Sequence, residues 1–91
     1  MKLKCKTNQH LLQLFHADFL GQQGFLLPGE QPFTPGKHVD LHIQVAEEAI
    51  GTAKTIMVWQ NLFAKGSDFL PQGTFLRLLQ ADKPLVQILS L

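Results

Sequence analysis

Apolar and polar residues alternate along much of this chain with a period of two, and the breaks in that rhythm fall on proline and glycine. Lys2, Lys4 and Lys6 alternate with Leu3 and Cys5, the pattern of a strand with one face in water. Lysines there also discourage pairing at a sheet edge. The spacing then turns helical: Asn8 caps a short helix with Leu11, Leu12, Leu14 and Phe15 at helical positions, before Phe19, Leu20 and a turn at Gly21-Gln22-Gln23-Gly24. Phe25 to Leu27 predicts a short strand stopped by Pro28-Gly29. Glu30 to Lys37 is a proline-rich connection ending in the turn signature Thr34-Pro35-Gly36-Lys37. His38 to Ala46 alternates cleanly, Val39, Leu41, Ile43 and Val45 against His38, Asp40, His42 and Gln44. Glu47, Glu48 and Ala49 make a polar reversal into a β-branched run from Ile50 to Gln60. Asn61 to Gln72 reads as loop and Thr74 to Gln80 as the last strand. Asp82 caps, and Pro84 opens, a terminal helix from Leu85 to Leu91.

Strands of this length joined by short turns predict a mostly β protein. The antiparallel sheet should curl into a barrel, because a flat sheet this small exposes one apolar face and two edges. The 91 residues make a single domain, 1–91, with no repeat and no low-complexity tract.

Composition removes several functions. At 45% hydrophobic and 16% charged residues the chain is too apolar for disorder and too polar for a membrane. Its formal charge is +1 and Arg77 is the only arginine, so nothing in the composition suggests a field that would hold a phosphate backbone. One cysteine, Cys5, closes no disulfide and suits a reducing compartment. The N-terminus lacks the apolar run of a secretion signal, and no stretch matches a membrane span; a cytoplasmic, bacterial or archaeal protein is expected.

Candidate chemistry is sparse. His38, Asp40 and His42 share a strand face at a spacing that could converge on a metal, but a wet strand face gives the same pattern, and no metal is expected. His16 and Asp18 could activate a nucleophile, yet Cys5, Ser67 and Ser90 sit in ordinary contexts, and no catalytic residue or enzyme activity is assigned. The lysines beside Cys5 would lower a thiol pKa; a small buried hydrophobe is the plainer reading. Gly21 to Gly24 leads into an apolar strand rather than a helix, so it is no phosphate cradle. The aromatics are more informative. Trp59 and Phe63 flank or enter the long loop, and Phe15 and Phe19 lie on or just beyond the first helix, where each can either fill the core or meet a partner.

The order of these elements, and several short words, resemble a PilZ domain. Phe19-Leu20-Gly21-Gln22-Gln23-Gly24-Phe25-Leu26-Leu27-Pro28 is similar to the approach to that family's first long hairpin. Pro35-Gly36-Lys37-His38-Val39-Asp40-Leu41 resembles its next turn and strand. Ile56-Met57-Val58-Trp59 resembles its "valine-valine-tryptophan" ending, and Gln72-Gly73-Thr74-Phe75-Leu76-Arg77-Leu78-Leu79 its following strand. The resemblance covers nearly the whole chain and implies a small antiparallel six-stranded β-barrel with short helical segments near the N-terminus and at the C-terminus.

Typical PilZ domains bind cyclic di-GMP through Arg-x-x-x-Arg and Asp/Asn-x-Ser-x-x-Gly motifs. Here Phe19 stands at the acidic or amide position, Gly21 replaces the serine, and Lys2-x-x-x-Lys6 keeps only the spacing of the arginines. The resemblance therefore implies the branch that does not bind the nucleotide and serves type IV pilus assembly. Its members are adaptors that touch the pilus extension motor ATPase and, in some lineages, a cyclic di-GMP receptor with a degenerate EAL domain. Phe15, His16, Phe19, Trp59 and Phe63 are the expected protein-binding residues. Two alternatives are a cyclic di-GMP receptor with an unconventional site and a structural or oligomerisation module.

Overall fold

The computed structural model describes residues 1–19, 21–61 and 72–91. Six strands, β1 (Lys2–Cys5), β2 (Phe15–Phe19), β3 (Gln22–Leu27), β4 (His38–Val45), β5 (Glu48–Asn61) and β6 (Gly73–Ala81), form one sheet. Two short helices accompany them, α1 (Asn8–Leu14) between β1 and β2 and α2 (Lys83–Leu89) at the end. The sheet order is β1-β4-β5-β6-β3-β2, curled into a half-barrel.

Two details correct the expected antiparallel barrel. β1 runs parallel to β4, with Leu3 beside Ile43 and Cys5 beside Val45. Among the described residues no ladder joins β1 to β2, so the sheet ends in two edges. The reason is that helices cover what closure would otherwise cover. Leu11 of α1 and Leu85 and Leu89 of α2 are buried in the same cluster as Leu3, Phe25, Leu27, Leu41, Ile43 and Met57. A half-barrel filled from its open side needs no sixth pairing to remove its apolar face from water. The lysine-bearing strand lies at one edge, where Lys2 and Lys4 point outward.

The first helix is shorter than its spacing predicts. Thr7, not Asn8, is the cap: its Oγ1 accepts from the His10 amide at 3.0 Å, and His10 Nδ1 in turn accepts from the Lys6 amide at 3.3 Å. The helix stops at Leu14 because Phe15 is claimed by the sheet. It stands directly opposite Phe25, their rings edge to face with centroids 5.3 Å apart. The turn that returns the chain uses Gly21 at φ +80°, its amide donated to Asp18 Oδ1 at 2.9 Å. Gln22 to Gly24 already belong to β3. Gly24 is required by close approach: a Cβ there would collide with the Leu76 carbonyl oxygen on β6.

The β4–β5 reversal is one residue earlier than the sequence suggests. Val45 pairs with Glu48, leaving Ala46 (φ 50°) and Glu47 (φ 69°) as a two-residue turn with both centres left-handed. α2 is tied to this hairpin. Asp82 occupies the N-cap position but makes no side-chain bond to its own helix; its Oδ2 accepts from the Thr52 amide at 2.8 Å, while its amide donates to the Thr52 carbonyl at 3.1 Å. The terminal helix thus packs on this chain's own sheet. No helix among the described residues is long and apolar enough to cross a membrane.

Candidate functional site

The sheet has an inner face, against the helices, and an outer one. Strict alternation on β4 puts Val39, Leu41, Ile43 and Val45 inside and His38, Asp40 and His42 outside. Register carries the outer face onward: His38 lies opposite Ile56, Ile56 opposite Arg77, Arg77 opposite Gly24, and Gly24 opposite His16. One step along, Trp59 pairs with Phe75 and Phe75 with Leu26.

This second row builds an aromatic cluster on the outer face. The Trp59 indole stacks on the Phe75 ring at a centroid distance of 5.5 Å and an interplanar angle of 9°. Phe19 closes on both, 5.6 Å from Trp59 and 5.4 Å from Phe75, and His16 meets Phe19 edge to face at 5.9 Å. Phe75 is fully buried, yet it stands apart from the inner core cluster. Its neighbours Phe19, Trp59 and His16 are only half-buried. A sealed centre with open flanks leaves apolar area for another molecule to cover.

A bulge brings Trp59 into this row. The β5–β6 register shifts between Met57 and Trp59, so Met57 remains in the inner core while the indole turns outward. Gln60, next in sequence and therefore on the opposite face of the strand, anchors the proline-rich connection, whose Phe33 packs against the inner core. Its Oε1 accepts from the Gln31 amide and from the Thr74 hydroxyl, each at 3.1 Å, and its Nε2 donates to the Phe33 carbonyl at 3.2 Å. Thr74 also lies 3.0 Å from the Gly29 carbonyl as donor. The connection is therefore fastened to the sheet by polar contacts from both its strands.

Of the five residues expected to bind protein, His16, Phe19 and Trp59 meet in this cluster. Phe15 does not: at 9% exposure it is part of the inner core, because its position opposite Phe25 fixes it to the other face. Phe63 lies outside the described residues. Phe75 was not singled out by sequence reasoning, although a signal was present. Phe75, Leu76, Leu78 and Leu79 place apolar residues on both faces of one strand, which a one-sided sheet does not require.

The remaining candidates separate. Cys5 is buried, and that burial pushes its thiol pKa above the ordinary value of 9.0, so the neighbouring lysines do not activate it. His42 Nδ1 is 3.1 Å from Thr52 Oγ1, and among the described residues no three His, Cys, Asp or Glu side chains are grouped to hold a metal. His16 packs on Phe19 while the Asp18 carboxylate is engaged by the Gly21 amide. No protein-family model matches the chain, and no curated protein matches it in sequence.

Proposed function

We propose that this protein is a non-enzymatic protein–protein adaptor of the PilZ type, acting in the cytoplasm in type IV pilus assembly or motility regulation. Its partners are a pilus extension motor ATPase, a cyclic di-GMP receptor with a degenerate EAL domain, or both. The observation that carries this reading is the half-buried row of Phe19 and Trp59 around Phe75 on the outer sheet face. Aromatic side chains bury large areas at little conformational cost, and rings already packed on one another lose less freedom still when a partner closes over them. The PilZ resemblance supplies the process, and the half-barrel with two short helices is compatible with a small β fold, the coarse class that resemblance implies. Phe19 lies where nucleotide-binding relatives carry a polar ligand, which favours a protein partner over a phosphate.

The test is capture of purified motor ATPase on the immobilised protein. Phe19→Ala and Trp59→Ala are expected to reduce capture by about tenfold or more, the scale of a hot-spot residue, with the thermal midpoint of each variant followed in parallel. Calorimetric titration with cyclic di-GMP is expected to give no heat of binding. Stoichiometric heat, or capture that survives both substitutions, would overturn the assignment of this surface.

A further inference from the structure

The outer face carries a charge imbalance that the net charge of +1 conceals. Among the described strand residues, alternation and register place Lys2 and Lys4 of β1, Lys54 of β5 and Arg77 of β6 on this face, and Asp40 of β4 directly opposite Lys54. The other described carboxylates sit at turns, at a helix cap or in the connection, and of these Asp18 adjoins the cluster, directly before Phe19 on β2. Asp18 holds the Gly21 amide at a turn, Asp82 holds the Thr52 amide under α2, Glu47 and Glu48 sit at the β4–β5 reversal, and Glu30 belongs to the proline-rich connection.

Arg77 and the aromatic cluster are contiguous. Arg77 stands two positions from Phe75 on β6, on the same outer side, and is exposed. Its cross-strand neighbours are Ile56 and Gly24, neither of which offers it a carboxylate. A guanidinium beside half-open aromatics, with Lys54 and the β1 lysines across the same sheet, matches a ligand that brings apolar side chains and negative charge together.

We infer that this face docks an acidic protein segment carrying apolar or aromatic anchors, an inference that rests on the adaptor reading and specifies the chemistry of its partner. The anchors cover Phe19 and Trp59, and the flanking carboxylates meet Arg77 and Lys54. A single arginine and scattered lysines suit spaced carboxylates better than the continuous charge of a phosphate backbone.

Fluorescence anisotropy with labelled peptides of about 12 residues, long enough to cross several strands, tests this directly. Three probes are compared: glutamates interspersed with Phe and Leu, the same anchors interspersed with lysines, and an oligothymidylate of the same length. The acidic probe is expected to bind, and to weaken about tenfold between roughly 50 and 300 mM salt. The Lys54→Glu/Arg77→Glu variant should lose it by about tenfold or more, and Lys54→Gln/Arg77→Gln by less, both substitutions being at exposed positions. Equal binding of the basic probe, or tighter binding of the oligothymidylate, overturns the inference. The motor-ATPase capture separates it from the adaptor reading. Capture lost with Phe19→Ala but kept at full strength by Lys54→Glu/Arg77→Glu removes the acidic-segment inference and leaves the adaptor. Acidic-probe binding by a protein that captures no motor ATPase removes that partner and supports the acidic-segment inference.

Discussion

Phe25 and Phe19 stand on adjacent strands of one hairpin, and the sheet turns them to opposite sides. Phe25 points inward with Phe15, Leu27 and Met57 and is fully buried under the two helices. Phe19 points outward onto Trp59 and Phe75 and stays half-buried. The residue type is the same, so its role is set by register: two ladder positions and one turn decide which ring holds the fold together and which remains open to a partner. Inner burial contributes to stability outright, whereas the outer cluster retains apolar area whose burial another molecule can complete.

The largest effects come from truncating rings on the two faces. Phe25→Ala should destabilise the protein by about 3–5 kcal/mol in urea unfolding, the usual loss for a buried aromatic. Phe19→Ala should cost less than about half as much, since its ring keeps water contact in the folded state. Phe75→Ala breaks the symmetry of this comparison: the ring faces outward but is fully buried, so its loss should approach that of Phe25. If Phe75→Ala proved as mild as Phe19→Ala, the outer cluster would contribute little to the fold and its sealed centre would have no structural meaning.

A smaller effect is expected where Gln60 fastens the proline-rich connection to the sheet. Gln60→Ala removes contacts to Gln31, Phe33 and Thr74 together, and should cost about 1–3 kcal/mol as their partners lose bonds in a part-buried setting. Amide exchange at Gln31 should accelerate in this variant while the amides of β4 keep their protection, a local opening rather than a global one. Uniformly faster exchange would mean that the connection is integral to both faces and that they cannot be separated energetically.

The strands that face water on one side were legible in the sequence, and those apolar on both sides were not fully so. β4 was readable to within a residue because His38, Asp40 and His42 alternate with inward aliphatics. β2 has no strand signal of its own: its first residue, Phe15, suits helical spacing with Leu11, Leu12 and Leu14, and only the distant Phe25 draws it into the sheet. Asp82 was correctly placed ahead of a helix, but the bond it makes is to Thr52 on β5, a tertiary partner that no local pattern contains. The aromatic site was legible in composition and not in geometry. His16, Phe19 and Trp59 attracted notice, while their assembly around Phe75 depends on the β2 turn and the β5 bulge. Phe15 was drawn into the same group because local spacing gives no parity until the pairing strand is known.

The smallest effect tests whether binding at the outer face can be separated from stability. Ala46 and Glu47 both occupy left-handed backbone in a two-residue hairpin, where each L residue with a Cβ is strained. Replacing the pair by Asn-Gly suits the turn and should raise stability by about 0.5–1 kcal/mol, the greater unfolded-state freedom of glycine offsetting part of the gain. The turn joins the ends of β4 and β5 next to Val45 and Glu48, far along β5 from Trp59. A higher urea midpoint with unchanged capture of the motor ATPase would make the outer face an independent surface carried by a rigid hairpin. A change in capture that tracked the midpoint would instead tie ring exposure to the stability of the whole sheet, and the distinction between Phe25 and Phe19 would become one of degree.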